Sequence, residues 1–257
     1  MGQPDDLARA VAECRERWAL TPDGALPHRF GHVETVRMRD GTPAVLKLDP
    51  ELRADALEWF SGHGGVRVLA IDRERGAALM ERVSPGTRLV DSGLDDEAAT
   101  AAAAGVMAAI WRPAGGAFPH VREWGESLGG RPGAVFAELC DSMGEEVVLH
   151  GDLHHENILR ADERGWVAID PKGVVGEREY ETGALMRNPI PVMHERRTFE
   201  RRADQLAEAL GLDGARIRAW AWAQAHLAAV WAVADREDAG YWLAVADLLE
   251  PLARIHR

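Results

Sequence analysis

The sequence predicts an α+β fold in which a small antiparallel sheet with one packed helix precedes a larger, mainly helical region. Three observations carry this. Short β-like runs crowd the first eighty residues, Val83-Ser84-Pro85-Gly86 breaks them, and helical periodicity dominates from Glu97 onward. Between the helices lies one further hairpin pattern, and it holds the residues with chemistry to do.

Residues 5 to 19 place Leu7, Val11, Cys14 and Trp18 on one stripe, which predicts an amphipathic helix. Val33 to Met38 and Ala44 to Leu48 read as strands joined by the turn Asp40-Gly41, a strong hairpin signal. Asp49 is placed to cap, and Pro50 to open, a helix reaching about Phe60, on which Glu51, Asp55 and Glu58 form one acidic stripe. Val66 to Ile71 and Ala77 to Met80 complete the sheet. After the Pro-Gly break, Asp95 or Asp96 caps an Ala-rich helix from Glu97 to Trp111, and Pro132 precedes a helix from about Gly133 to Met143. Thr198 to Leu210 and Ala215 to Ala234 are helices divided by Gly211-Leu212-Asp213-Gly214. The second is apolar around most of its circumference, Trp220, Trp222, Leu227 and Trp231 included, so it is expected at the centre. Tyr241 to Ile255 closes the pattern.

Composition narrows the function. The 257 residues suffice for two compact lobes, and no apolar run is long enough to cross a bilayer. With no signal-peptide pattern at Met1-Gly2-Gln3-Pro4-Asp5-Asp6, a cytoplasmic chain without membrane partners is expected. Cys14 and Cys140, both in helix-like segments, are expected as buried reduced thiols. A formal charge of −12 argues against a nucleic-acid surface and suits a cationic small molecule, although acidity also serves solubility. Of thirty Lys plus Arg residues only Lys47 and Lys172 are lysine. A compact ammonium differs physically from a guanidinium, and Lys47 ends an apolar run where a point charge can reach phosphates.

The hairpin pattern is the informative segment. His150-Gly151-Asp152-Leu153-His154-His155-Glu156-Asn157 runs into Ile158-Leu159-Arg160, turns at Ala161 to Gly165, and returns through Trp166-Val167-Ala168-Ile169 to Asp170-Pro171-Lys172-Gly173. Such a hairpin brings Asp170 back beside Asn157. An aspartate in a loop orients a hydroxyl and takes its proton, while an Asn oxygen and a second carboxylate hold Mg²⁺ ions bridging nucleotide phosphates. Asp152 is therefore the candidate base, with Asn157 and Asp170 the candidate metal ligands. His150 reads as a loop organiser, and His154 and His155 as positioning or surface residues. A transition-metal site would need further paired ligands such as HExxH, and none occurs.

The order His-x-Asp-Leu-x-x-x-Asn matches the protein-kinase catalytic loop, with Gly151 where those enzymes have Arg. HGDLHHEN followed by Ile169-Asp170-Pro171-Lys172-Gly173 more closely resembles the aminoglycoside phosphotransferases, within them the streptomycin 6-kinase and hydroxyurea kinase branch. Thr42 to Lys47, Gly65 to Leu69, Ala78 to Gly86 and Arg187-Asn188-Pro189 are similar to segments of that branch in the same order.

The resemblance implies a protein-kinase-like bilobal fold, residues 1–83 forming a nucleotide-binding lobe and residues 84–257 a catalytic and substrate-binding helical lobe. It implies ATP and Mg²⁺ as cofactors and a hydroxyl of an antibiotic such as streptomycin as acceptor. Hydroxyurea, a peptide antibiotic or a metabolite is the alternative acceptor, and a catalytically silent nucleotide-binding module is the rival class. Lys47 would hold the nucleotide phosphates, and the backbone of Glu81 and Val83 would meet adenine. The helix acid matching the kinase glutamate is Asp55, with Glu51 or Glu58 as substitutes. The nucleotide loop, His28-Arg29-Phe30-Gly31-His32-Val33, has a single glycine where kinases have several. Lys172 can touch a phosphate or substrate, or pair with Glu177 or Glu179. Glu177, Glu179 and Glu181 either border the acceptor pocket or form a solvated charge run.

Overall fold

The structure, a computed structural model of the chain, describes residues 4–26, 31–189 and 195–250. The elements in chain order are α1 (Pro4–Arg17), β1 (Thr21–Leu26), β2 (His32–Arg37), β3 (Pro43–Leu48), α2 (Ala54–Phe60), β4 (Val68–Asp72), β5 (Ala77–Glu81) and β6 (Pro85–Arg88). There follow α3 (Asp96–Ile110), α4 (Val121–Gly125), α5 (Gly130–Asp141), β7 (Glu146–Leu149), β8 (Ile158–Ala161), β9 (Gly165–Ala168) and β10 (Val174–Glu177). The last helices are α6 (Arg178–Met186), α7 (Arg196–Leu210), α8 (Gly214–Ala234) and α9 (Gly240–Leu249). The chain divides into two compact units, one of Met1–Gly86 with Arg160–Val167, the other of Thr87–Leu159 with Ala168–Arg257.

In the first unit five antiparallel strands run in the order β1-β2-β3-β5-β4. Strand alternation decides which face is dry: Ala44, Leu46 and Leu48 of β3 join Val36, Ala77 and Leu79 in a core closed by Val11 and Cys14 of α1. Lys47, between Leu46 and Leu48, therefore points to the other face, yet only 7% of it is exposed. The helix expected from Pro50 begins four residues later, at Ala54. Asp49 explains the delay: its Oδ1 accepts the Glu51 amide at 2.9 Å and its carbonyl accepts that of Leu52 at 3.0 Å, making a separate turn. β1, unforeseen in the sequence, is Thr-Pro-Asp-Gly-Ala-Leu, exposed throughout and bulged between Pro22 and Gly24. Its composition hides it, because it pairs only as an edge strand.

In the second unit α8 is central, packing against α5, α6, α7 and α9. Trp220 and Trp222 are buried as expected, while Trp231 is 40% exposed. Phe136, Tyr180 and Trp220 meet edge to face with centroids 4.9 to 6.2 Å apart. Arg202 of α7 has no exposed surface and is fully engaged: it pairs with Asp96 and donates to the carbonyls of Leu185, Met186 and Asn188 at 3.0, 3.1 and 2.7 Å. Asp95 caps α3 by accepting the Ala98 amide at 2.8 Å. β8 and β9 are neighbouring strands of a hairpin whose turn, within Arg160–Val167, belongs to the first unit. The strands β7 and β10 pair antiparallel, Leu149 opposite Val174, so the segments leaving one and entering the other start side by side.

Both cysteines are free and buried, and burial pushes the Cys140 thiol up to about 11. Among the described residues no helix is long and apolar enough to cross a membrane.

Candidate active site

The segment from His150 to Asn157 is held by its backbone. The Lys172 and Gly173 amides donate to the His150 carbonyl at 2.8 and 3.1 Å, and the Ile169 amide donates to the Asn157 carbonyl at 2.9 Å. These three bonds bring Asp170 beside Asn157, as the hairpin pattern implied. Asp170 adopts φ of 60°, a left-handed conformation that Asp tolerates better than most side chains and that turns the chain between those bonds. Gly151 has φ of 82°, and a Cβ there would lie 2.8 Å from Cη2 of Trp124 and 3.1 Å from Cγ1 of Val174. The arginine that protein kinases carry at this step has no room here.

His150 is fully buried. Its Nε2 lies 2.8 Å from the Ile169 carbonyl and its Nδ1 accepts the Asp152 amide at 3.3 Å, which fixes the proton on Nε2. Burial lowers its pKa to about 4, so the ring is a neutral brace. Asn157 Nδ2 donates to the Asp152 carbonyl at 2.9 Å. That bond identifies the amide nitrogen and leaves Oδ1 outside it. The Asp152 side chain is 33% exposed, with His154 Nε2 at 3.8 Å from its carboxylate. Burial lowers the His154 pKa, and its Nδ1 accepts the Glu156 amide at 3.3 Å. His155 is 3% exposed, so it is a buried residue of the loop.

Two residues complete the cradle, neither of which local sequence reasoning gave that role. Glu181, 1% exposed on α6, accepts the His150 amide at 2.6 Å and the Gly151 amide at 3.0 Å. Burial raises its pKa, the two amides oppose the rise and Asp152 adds to it, leaving it at about 7. It is neither a solvated acid nor a pocket rim. The available signal was its isolation as the one charge in Tyr180-Glu181-Thr182-Gly183-Ala184-Leu185-Met186. Arg187, 7% exposed at the end of α6, donates to Gln224 Oε1 at 2.8 Å and lies close enough to Asp152 for their charges to act on one another. Sequence reasoning noted it only within a three-residue segment.

Of the other acids, Glu177 is 3% exposed and is bound by Arg216 and by the Trp220 ring nitrogen, while Glu179 accepts the Asp213 amide at 3.3 Å. Neither pairs with Lys172, which is exposed.

In the first unit, Lys47 Nζ stands 3.4 Å from Asp49 Oδ2. Asp55, the acid matched by resemblance, accepts a bond from Arg73 at 2.8 Å, and Arg73 also takes Glu58. Asp55 is 74% exposed. Asp55 thus makes an exposed pair with Arg73 in place of the pairing expected from resemblance, and a carboxylate beside Lys47 comes from the turn ahead of α2. The Glu81 amide is committed to the Arg67 carbonyl at 2.9 Å, and its carboxylate to the Arg67 amide and Arg164. Val83 is partly buried just after β5. His28, Arg29 and Phe30 of the expected nucleotide loop lie outside the described residues, and Gly31 has φ of 96°.

Among the described residues no three His, Cys, Asp or Glu side chains gather as a metal site. An Asn oxygen with one carboxylate still suits a Mg²⁺ ion that keeps water and phosphate oxygens as its other ligands.

The fold and this loop define a class, the kinase-like phosphotransferases. The choline kinase LicA from Streptococcus pneumoniae superposes with a TM-score of 0.67 over 95% of this chain and 99% of its own, at 13% identity. The chain belongs to the aminoglycoside/hydroxyurea antibiotic resistance kinase family, whose model matches residues 17–236. A streptomycin 3''-kinase from Klebsiella pneumoniae is 33% identical over 93% of this chain and 98% of its own length. A hydroxyurea phosphotransferase from Kitasatospora aureofaciens is also 33% identical, over 91% of this chain and 76% of its own. The protein is an enzyme of the antibiotic-modifying phosphotransferase type.

Proposed function

We propose that this enzyme transfers the γ-phosphoryl group of ATP to a hydroxyl of a small cationic antibiotic, an aminoglycoside such as streptomycin. The carrying observation is the loop geometry: a partly exposed Asp152 carboxylate on a backbone braced by neutral His150, next to Asn157 with its Oδ1 free of the anchoring bond. Asp152 orients the acceptor hydroxyl and takes its proton as the oxygen–phosphorus bond forms. The bond from the γ-phosphorus to the bridging oxygen breaks and ADP leaves. Asn157 and Asp170 would hold Mg²⁺, which neutralises charge on the phosphates when bound.

In this reading residues 1–83 serve the nucleotide and residues 84–257 the chemistry and the acceptor. Lys47, steadied by Asp49 in place of Asp55, meets the phosphates, and backbone groups of Glu81 and Val83 meet adenine. Glu81 offers its carbonyl oxygen there, since its amide is committed. The charge of −12 attracts a cationic acceptor, and dependence on ATP suits a cytoplasmic enzyme.

Hydroxyurea is the second acceptor to test, because its kinase relative is as similar as the streptomycin one. The experiment is Mg²⁺-dependent ATP turnover with streptomycin, other aminoglycosides and hydroxyurea. Phosphorylation of an aminoglycoside that disappears in Asp152→Asn supports the proposal. Nucleotide binding with no acceptor phosphorylated would favour the silent module.

A further inference from the structure

Arg187 is a buried cation for which the described residues supply no paired carboxylate. Its side chain makes one hydrogen bond, to the neutral carboxamide of Gln224, and among the described residues no carboxylate stands within salt-bridge distance of it. Burying a guanidinium this way is costly, and folded chains normally answer the cost with a carboxylate. Arg202, a neighbour in the same unit, shows the usual answer, with Asp96 and three backbone carbonyls around it.

The single bond to Arg187 is carefully held. Gln224 Nε2 donates to the Tyr180 carbonyl at 2.7 Å, which aims its Oε1 at Arg187. Gly183 makes that possible, because a Cβ there would fall 2.5 Å from the Gln224 carboxamide. The Tyr241 hydroxyl fixes the other end, donating to the Arg187 carbonyl at 3.1 Å. Six residues earlier on α6, Glu181 grips the amides of the catalytic loop, so one helix holds both that loop and Arg187.

The ionisable groups that act on Arg187 are Asp152, Tyr180 and Tyr241, of which only Asp152 is charged near neutral pH, and Arg187 in turn acts on His154. None of them pairs with it. A fixed cation within electrostatic reach of the base and without a paired carboxylate calls for an anion that arrives with the substrates. A cationic acceptor cannot supply one, but the phosphoryl group can. Charge on its equatorial oxygens is what positioned donors stabilise as the oxygen–phosphorus bond to the acceptor forms and the bond to ADP breaks.

We propose that Arg187 is a catalytic residue of the transfer step, its guanidinium binding the phosphoryl group in transit. This rests on the phosphotransferase reading above. The test compares Arg187→Met and Arg187→Lys with wild type in two assays. In turnover with streptomycin or hydroxyurea, Arg187→Met should lose about 100-fold in kcat with acceptor KM changed less than about threefold, and Arg187→Lys should recover part of the loss. In binding, magnesium ADP with aluminium fluoride, a mimic of the planar phosphoryl group, should bind wild type more tightly than ADP alone. Arg187→Met should lose that gain and keep its affinity for ADP, which also shows that it is folded.

A kcat within about threefold of wild type, or a loss confined to acceptor KM, would overturn the assignment. So would equal tightening by fluoride in wild type and Arg187→Met, or none in wild type. Because the fluoride assay needs no acceptor, it judges Arg187 even if every acceptor fails and the phosphotransferase reading falls.

Discussion

The surroundings of Arg202 and of the catalytic loop solve the burial of polar groups in opposite ways. Around Arg202 every charge is met: Asp96 takes the guanidinium, three carbonyls take the remaining hydrogens, and Arg201 adds a second cation on Asp96. Around the loop, neutral or backbone groups do the holding. His150 is uncharged, Glu181 grips amides, and Arg187 leans on a carboxamide. A satisfied ion cluster has no further business with a ligand, so the first region is structural. The second keeps its charge for what binds.

That contrast breaks most visibly at Asp152. Replacing it with Asn preserves shape but removes the proton acceptor, so turnover should fall by about 100- to 10,000-fold while thermal unfolding stays put. A variant that melts early would move Asp152 to the structural side. Arg202→Met is the mirror experiment. It leaves three carbonyls unanswered and Asp96 with Arg201 as its remaining cation, so a stability loss of about 3 kcal/mol is expected in denaturant unfolding, with kcat per folded molecule unchanged.

Acid probes the same cluster without mutation. Burial pushes the Asp96 carboxyl up, but bonds and charge from Arg202 and Arg201 outweigh it and bring the folded pKa to about 2. A folded value below the unfolded 3.8 means that the contribution is full above pH 4 and disappears as pH falls through 2. It amounts to about 2 kcal/mol, so Asp96→Asn should be less stable than wild type at pH 6 and approach it at pH 2. Equal gaps at both pH values would count against the pairing.

Glu181 has the reverse sign. Its folded value of about 7 stands above the ordinary 4.5, so its favourable contribution is full below pH 4.5 and is lost as pH rises through 7. Glu181→Gln keeps one acceptor for the loop amides and sets an NH₂ against the other, a cost of about 1 to 2 kcal/mol. Exchange of the His150 and Gly151 amides, corrected for intrinsic rates, should quicken in the variant. Between pH 5 and 8 protection should decline in wild type only.

How far the sequence disclosed all this follows from the range of each interaction. The motif from His150 to Asp170 was readable because its partners are near in sequence and a hairpin of ordinary geometry closes it. The central helix α8 was readable from its apolar circumference, and α3 from its capping aspartate. Glu181 and Arg187 act across 30 or more positions, on the loop amides and on Gln224, and no local pattern announces such a contact. β1 was invisible because Pro, Asp and Gly do not look like a strand, and the edge of a sheet tolerates them.

Asp55 is where resemblance and local chemistry pull apart. Matching positions put it opposite the strand lysine, but Asp49 and Pro50 first form a turn. The helix starts late, Asp55 pairs with Arg73, and a carboxylate of the turn stands beside Lys47. An exposed pair of this kind contributes little, because water screens it and ordering two side chains costs entropy. Asp55→Ala should therefore shift stability by less than about 0.5 kcal/mol and leave the KM for ATP within about twofold. Asp49→Ala should raise that KM severalfold, since it removes a carboxylate beside Lys47 and the acceptor that shapes the turn. If Asp55→Ala instead weakens ATP and Asp49→Ala does not, the assignment made by resemblance was right, and the pairing with Arg73 gives way when nucleotide binds.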